Sequence, residues 1–154
     1  MAASLRTMDS VTLIVSPYHV GIFEDEVGAG PAKILDRGLV SALEALGVTV
    51  HSKMVSPAIK GEGEIGRSFE IMRQISKLVT VARDASSFPI VVSGNCGASV
   101  GVHAGLSGSE EFRMSDVGCV WFDVSTASYL LRASIVSYSE NPANRNCSMR
   151  KGSR

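Results

Sequence analysis

The sequence predicts an α/β domain on a mainly parallel sheet, and three observations carry that expectation. Apolar, β-branched runs of strand length recur near 11–15, 48–55, 88–93 and 117–123. Two longer stretches between them repeat apolar residues at helical spacing. Glycine and proline separate one kind of segment from the next. Strands alternating with helices are joined by crossovers, and crossovers make neighbouring strands parallel.

The elements follow in order. "VTLIVSPYHVG" (11–21) reads as a buried strand ended by Pro17 and Gly21. In "EDEVGAGPAKILDRGLVSALEALG" a loop leads into one helix: Pro31 suits its first turn, Leu35, Leu39, Leu43 and Leu46 recur at helical spacing, and Gly47 stops it. "VTVHSKMV" (48–55) is a second strand, and "GEGEIG" a loop. A second amphipathic helix spans about 66–85, with Phe69, Met72, Ile75, Leu78, Val79 and Ala82 on its apolar face. "FPIVVS" is the third strand, 98–107 a short helix, and "VGCVWFD" (117–123) the fourth strand, with Trp121 and Phe122 in the core.

A chain of 154 residues suits one domain, and 45% hydrophobic against 19% charged residues is globular composition. The formal net charge is zero, which favours neither nucleic acid nor a membrane surface as partner. Residues 124–154 nevertheless carry five basic side chains (Arg132, Arg145, Arg150, Lys151, Arg154) against Glu140, so they hold +4 and residues 1–123 hold −4. Seven serines and three asparagines mark the same segment. Cys96, Cys119 and Cys147 are widely spaced and signal neither a zinc site nor a disulfide framework, so a reducing, cytoplasmic setting is expected. No apolar run is long enough for a membrane span, and no signal peptide is expected.

In parallel sheets functional groups gather at the carboxyl ends of the strands, which selects His19, Ser93 to Cys96 and Asp123. The stretch "SGNCGASVG" (93–101) admits several chemistries. Gly97 to Gly101 spell G-x-S-x-G, but a nucleophile elbow needs its serine on the sharp strand-to-helix turn. Here the turn falls at Gly94, and no histidine follows Asp123. Ser99 is better read as helping to start a helix. Cys96, near a helix N-terminus with His103 seven residues on, could be a nucleophile, although a lone cysteine is more often inert. The glycines suit an anion, which makes a small-ligand or partner-binding α/β module the non-enzymatic alternative. Asp123 closes an apolar strand, the usual post of a metal ligand or catalytic carboxylate, and equally of a turn former. His19 is a candidate lining residue of the crevice. The acids of "FEDEVG" either face a cationic substrate or form a solvated loop.

Together three stretches resemble the arginase-like ureohydrolase family (arginase, agmatinase, formimidoylglutamase), from about Val11 to Asp123. "VGAGPAKILDRGLVSALEALGVTV" is similar to the family's Gly-x-Gly-Pro segment and the helix and strand after it. "PIVVSGNCGASVGVHAGL" resembles the stretch where many members have Gly-Gly-Asp-His-Ser, in the Gly-Asn-Cys form of a divergent branch. "VGCVWFD" resembles the strand entering the Asp-Ala-His-x-Asp motif. The resemblance covers the N-terminal half of such an enzyme.

What the resemblance implies is a three-layer α/β sandwich with strand order 2-1-3-8-7-4-5-6, and two manganese ions. Their bridging hydroxide would attack the carbon of a small guanidino or amidino compound. It leaves room for a homo-oligomer. The departures are specific. Asp123 matches a metal-ligand aspartate, while Cys96 stands at a histidine-ligand position and Asn95 at the preceding aspartate. Ser125 and Ala127 replace the motif's histidine and second aspartate. Of the six ligand positions implied, Asp123 alone carries a standard ligand. Asn95 and His19 are expected as substrate contacts, and no catalytic residue is singled out. The expectation is a catalytically defective chain, truncated after about four strands, with the fourth either lacking neighbours or pairing beside the third as 2-1-3-4.

Residues 1–123 form the expected arginase-like domain, and 124–154 a divergent or intron-derived segment. Val124-Ser125-Thr126 can be encoded GTG-AGT-AC, a common splice donor; different codons there would remove that reading. "SYLLRASIVSYS" (128–139) has strand-like alternation fit to cover an edge, and 140–154 reads as a disordered tail.

Overall fold

The computed structural model describes residues 9–56, 63–108, 117, 119–124, 131–136 and 150–151, and for the last three segments the backbone alone. Strand β1 (Ser10–Ser16) is buried from Val11 onward. It lies between two parallel neighbours, β4 (Thr49–Met54) and β5 (Phe88–Ser93), in the order β4-β1-β5. These are the second, first and third of the expected strands, in the 2-1-3 order the resemblance implies. Ile14 points to one face and Leu13 and Val15 to the other, yet all three are buried, so both faces of β1 are covered. Each such side chain stabilises the fold by roughly 1.5–3 kcal/mol.

Pro17 ends β1, and within the segment expected to be one strand a hairpin begins: β2 (Tyr18–His19) and β3 (Ile22–Phe23). Its turn residues, Val20 and Gly21, have φ of 45° and 79°, the signature of a two-residue primed turn. Valine is costly in that region, which explains why no turn signal was legible.

The single helix expected after this loop is two. A 3₁₀ turn (Glu26–Ala29) leads into α1 (Gly30–Asp36), and α2 (Leu39–Glu44) follows. Gly38 makes the break at φ 86°. Its N–H donates to the Leu35 carbonyl and its own carbonyl accepts from Ala42 N–H, each at 2.9 Å, so one glycine closes the first helix and opens the second.

Helix α3 (Glu64–Asp84) buries Ile71, Ile75, Val79 and Ala82. Phe69 was expected on that face but is 59% exposed: it stands two residues from Ile71, nearly opposite on the helix, and the true stripe runs at i, i+4, i+8 and i+11. The helix ends in a Schellman arrangement. Ser86, at φ 55°, donates to Arg83 O (2.8 Å), and Ser87 N–H donates to Ala82 O (2.9 Å).

Helix α4 (Ala98–Ser107) lies against α3 at two glycines. A Cβ at Gly101 would come 2.6 Å from the Met72 carbonyl oxygen, and one at Gly105 would come 2.5 Å from that of Ser76. Thr80 Oγ1 fixes the contact, sharing its proton between Ser76 O (3.1 Å) and Gly105 O (2.9 Å). The core beneath joins Ile14, Tyr18, Val55, Ile71, Ile75 and Val79. Elsewhere α2 packs on β4 and α1 on β5, so helices flank the sheet.

The fourth expected strand is not in this sheet. β6 (Cys119–Val124) pairs antiparallel with β7 (Leu131–Val136), and β7 with β8 (Arg150–Lys151). The order is β6-β7-β8, so the compact 2-1-3-4 arrangement does not form. β7 follows β6 closely in sequence. Closing so short a connection costs little entropy. β7 falls within the stretch expected to cover an edge. The Trp121 and Phe122 side chains, and all of the 140–154 tail except Arg150 and Lys151, lie outside the described residues. Among the described residues no helix is long and apolar enough to cross a membrane.

Candidate functional site

At the carboxyl ends of β1 and β5 the chain turns sharply, and the turn is built on close backbone contact. Gly94 N–H donates to Ser16 O at 3.3 Å. Gly94 sits directly on Gly28: a Cβ on it would meet Val27 O at 2.6 Å and Gly28 N at 2.7 Å. The loop carrying Glu24, Asp25 and Glu26 is thereby pressed against the turn that carries Asn95 and Cys96.

Asn95 is committed to the turn. Its N–H donates to Ser93 Oγ (3.2 Å), and its Oδ1 accepts from Gly97 N–H (2.7 Å). The Cys96 thiol is exposed and free. The Cys96 carbonyl accepts the Ser99 hydroxyl at 2.8 Å and Ser99 N–H at 3.1 Å. Ser99 is the second residue of α4, with its hydroxyl bound at the helix start rather than displayed at the tip of a strand-to-helix turn.

Beside this turn a crevice of about 30 Å³ is lined by Tyr18, Ser93, Asn95, Gly97 and Ile71. That is space for about one water molecule. Tyr18 closes one side. Its ring stacks edge-on against Phe23 at 5.5 Å, its hydroxyl lies 3.5 Å from Val55 O, and burial pushes its phenol pKa up. Tyr18 was not singled out from the sequence; the only cue was an aromatic directly after Pro17 at a strand end. Ser16 Oγ, buried at the end of β1, has no hydrogen-bond partner among the described residues.

His19 turns towards the acidic loop. Its Nδ1 lies 3.2 Å from Glu26 Oε2 and 4.0 Å from Asp25 Oδ2, contacts that become ion pairs when the imidazole is protonated. The structure thus brings Asn95 to the crevice with Ser93, while His19 engages Glu26 and Cys96 faces solvent. Asp123 lies in the other sheet, its backbone opposite Arg132; its side chain is outside the described residues. Among the described residues no three His, Cys, Asp or Glu side chains are grouped to hold a metal ion.

No protein-family model matches the sequence, and no curated protein matches it significantly. The structure is similar to the crystal structure of arginase from Bacillus subtilis, with a TM-score of 0.55 and 20% identity. The likeness covers 64% of this chain and 33% of that one, so the chain spans about a third of the arginase's length. At this identity the likeness shows an arginase-like α/β fold.

Proposed function

We propose that the chain carries part of an arginase-like hydrolase fold, and that it does not itself catalyse the parent reaction. That parent chemistry is manganese-dependent hydrolysis of a C–N bond in a small guanidino or amidino compound. The likeness to the arginase fold supports the first half. The turn at Asn95 carries the second. Manganese takes carboxylate, imidazole and water ligands, whereas a thiolate suits softer metals. Asn95 Oδ1 is already used by Gly97 N–H, and Cys96 offers an exposed sulfur. Ser125 and Ala127 stand where the resemblance puts two further ligands. These residues do not fit a manganese pair. In a reducing cytoplasm Cys96 would remain a thiol.

A binding module centred on Gly94–Gly101 is the second reading, and the crevice limits its occupant to a water-sized polar group. One experiment tests the first reading, and a metal-poor chain that still binds an anion at that turn would favour the second. The purified chain is loaded with manganese, dialysed, and assayed for bound metal and for hydrolysis of arginine, agmatine and formimidoylglutamate. The expected result is substoichiometric metal and no product. Stoichiometric manganese with turnover would sink the proposal. The double variant Asn95→Asp, Cys96→His tests the position itself: it should gain manganese affinity over the natural chain if the turn occupies a ligand position.

A further inference from the structure

The opposite, amino-terminal end of the parallel sheet holds a second and larger space. A groove of about 470 Å³ opens between β4 and the last turns of α3. That volume lies within the roughly 300–1,000 Å³ of small-ligand sites. Its two sides differ in chemistry. One is apolar and comes from α3, chiefly Leu78, Val81 and Ala85, with Val81 64% exposed. The other is polar and comes from the strands. Thr12 pairs in register with His51, and Ile14 with Lys53, so His51 and Lys53 stand on the sheet face that Ile14 turns towards α3. Thr12 Oγ1 donates to Ser87 Oγ at 2.8 Å, fixing two hydroxyls in the same lining.

Charge makes the groove selective. Among the described residues no carboxylate lines it and no carboxylate pairs with Lys53. An ammonium and an imidazole side by side, with hydroxyls nearby, form a donor set for one anionic head group. The adjacent α3 wall offers apolar surface to whatever is attached to that head. One lysine beside one imidazole suits a monoanion rather than a phosphate dianion.

We propose that this groove binds a small aliphatic carboxylate, its head group held by Lys53 and His51 and its alkyl chain laid along Leu78 and Val81. The site is remote from the crevice at Asn95, since the groove is lined by the start of β1 and the end of α3 and the crevice by Tyr18, the start of α3 and the turn after β5.

The test is an NMR titration of the full chain with sodium octanoate, acetate and octan-1-ol, the octanoate kept well below its micellar concentration and the octanol below its solubility limit. Octanoate should give saturable shifts at Thr12, Val50 and Val81, with Asn95 unmoved. Acetate, lacking the tail, and octanol, lacking the charge, should each bind at least about tenfold more weakly. Lys53→Met should weaken octanoate by about tenfold and leave octanol unchanged. Lys53 is exposed on an edge strand, and an unaltered melting curve confirms that the variant is folded; His51→Ala gives an independent second reading. Three results would overturn the proposal: equal binding of octanol and octanoate, unchanged affinity in both variants, or contacts showing that another segment of the chain fills the groove.

Discussion

One face of the parallel sheet is finished differently over its two flanks. Over β1 and β5, α3 and α4 lie together, with glycines at Gly101 and Gly105 letting the backbones approach until no Cβ would fit. Over β4 the groove opens, and that strand shows His51, Ser52, Lys53 and Met54 exposed. The difference follows from the connections. A right-handed crossover from β4 to β5 carries α3 across β1, the strand between them, and leaves the edge strand without a helix of its own on that side. Burial agrees with position: β1 is buried on both faces from Val11 onward, and every residue of β4 but Val50 is exposed.

The contrast breaks most visibly at the covered flank. Ile75 is fully buried at the centre of the α3 interface, so Ile75→Ala should cost about 3–4 kcal/mol, whereas Met54→Ala on β4, 61% exposed, should cost less than about 0.5 kcal/mol. Urea denaturation of both variants measures the gap. Next in size, Gly105→Ala forces a methyl against the Ser76 carbonyl and Val79 and should cost about 2 kcal/mol. The same change at Gly30, where a Cβ meets nothing within 4 Å, should be neutral or slightly stabilising. Equal melting temperatures for the two alanines would mean the helices do not touch where described.

Smaller and opposite in sign, Ser86→Gly should stabilise by about 0.5–1 kcal/mol, because φ of 55° is a conformation glycine adopts freely. Calorimetry would show it as a raised midpoint. The smallest effect is a pH dependence carried by Glu70 on α3. Glu70 accepts from Gln74 Nε2 at 3.0 Å and pairs with Arg73, and its pKa is lowered, first by the Gln74 hydrogen bond and then by Arg73 and Lys77. A carboxylate with a lowered folded pKa stabilises the fold above the ordinary glutamate range and loses that contribution as the pH falls through the lowered value. Glu70→Gln should therefore flatten the acid limb of the stability profile slightly, and an unchanged limb would remove Glu70 from the account.

Much of this architecture was legible because strands and helices bury different periodicities. The run "VTLIVS" could only be a buried strand, and "FPIVVS" matched its observed span residue for residue. The break at Gly38 was hidden because leucines continue at helical spacing across it, so local pattern outvoted backbone conformation. The antiparallel partner of β6 was hidden for another reason: strand period fixes which way side chains point and says nothing about which neighbour is taken. At the candidate site, the turn at Gly94 was readable from glycine content, and Ser99 as a helix-start residue from its type. Tyr18 could not be assigned to the crevice, since only the hairpin turns it inward, and that hairpin depends on a valine in a conformation valine disfavours.

The contact between Gly28 and Gly94 has a consequence for how the molecule tolerates change. Two chain segments 66 positions apart meet backbone to backbone, and Gly28 is hemmed in on a second side, where a Cβ would come 2.9 Å from His19 N. A side chain gained at Gly94 displaces the loop that carries the acids around Glu26, whereas one gained at Gly28 displaces the backbone at Tyr18 and His19. Each single replacement should therefore be damaging, and each by displacing a different segment.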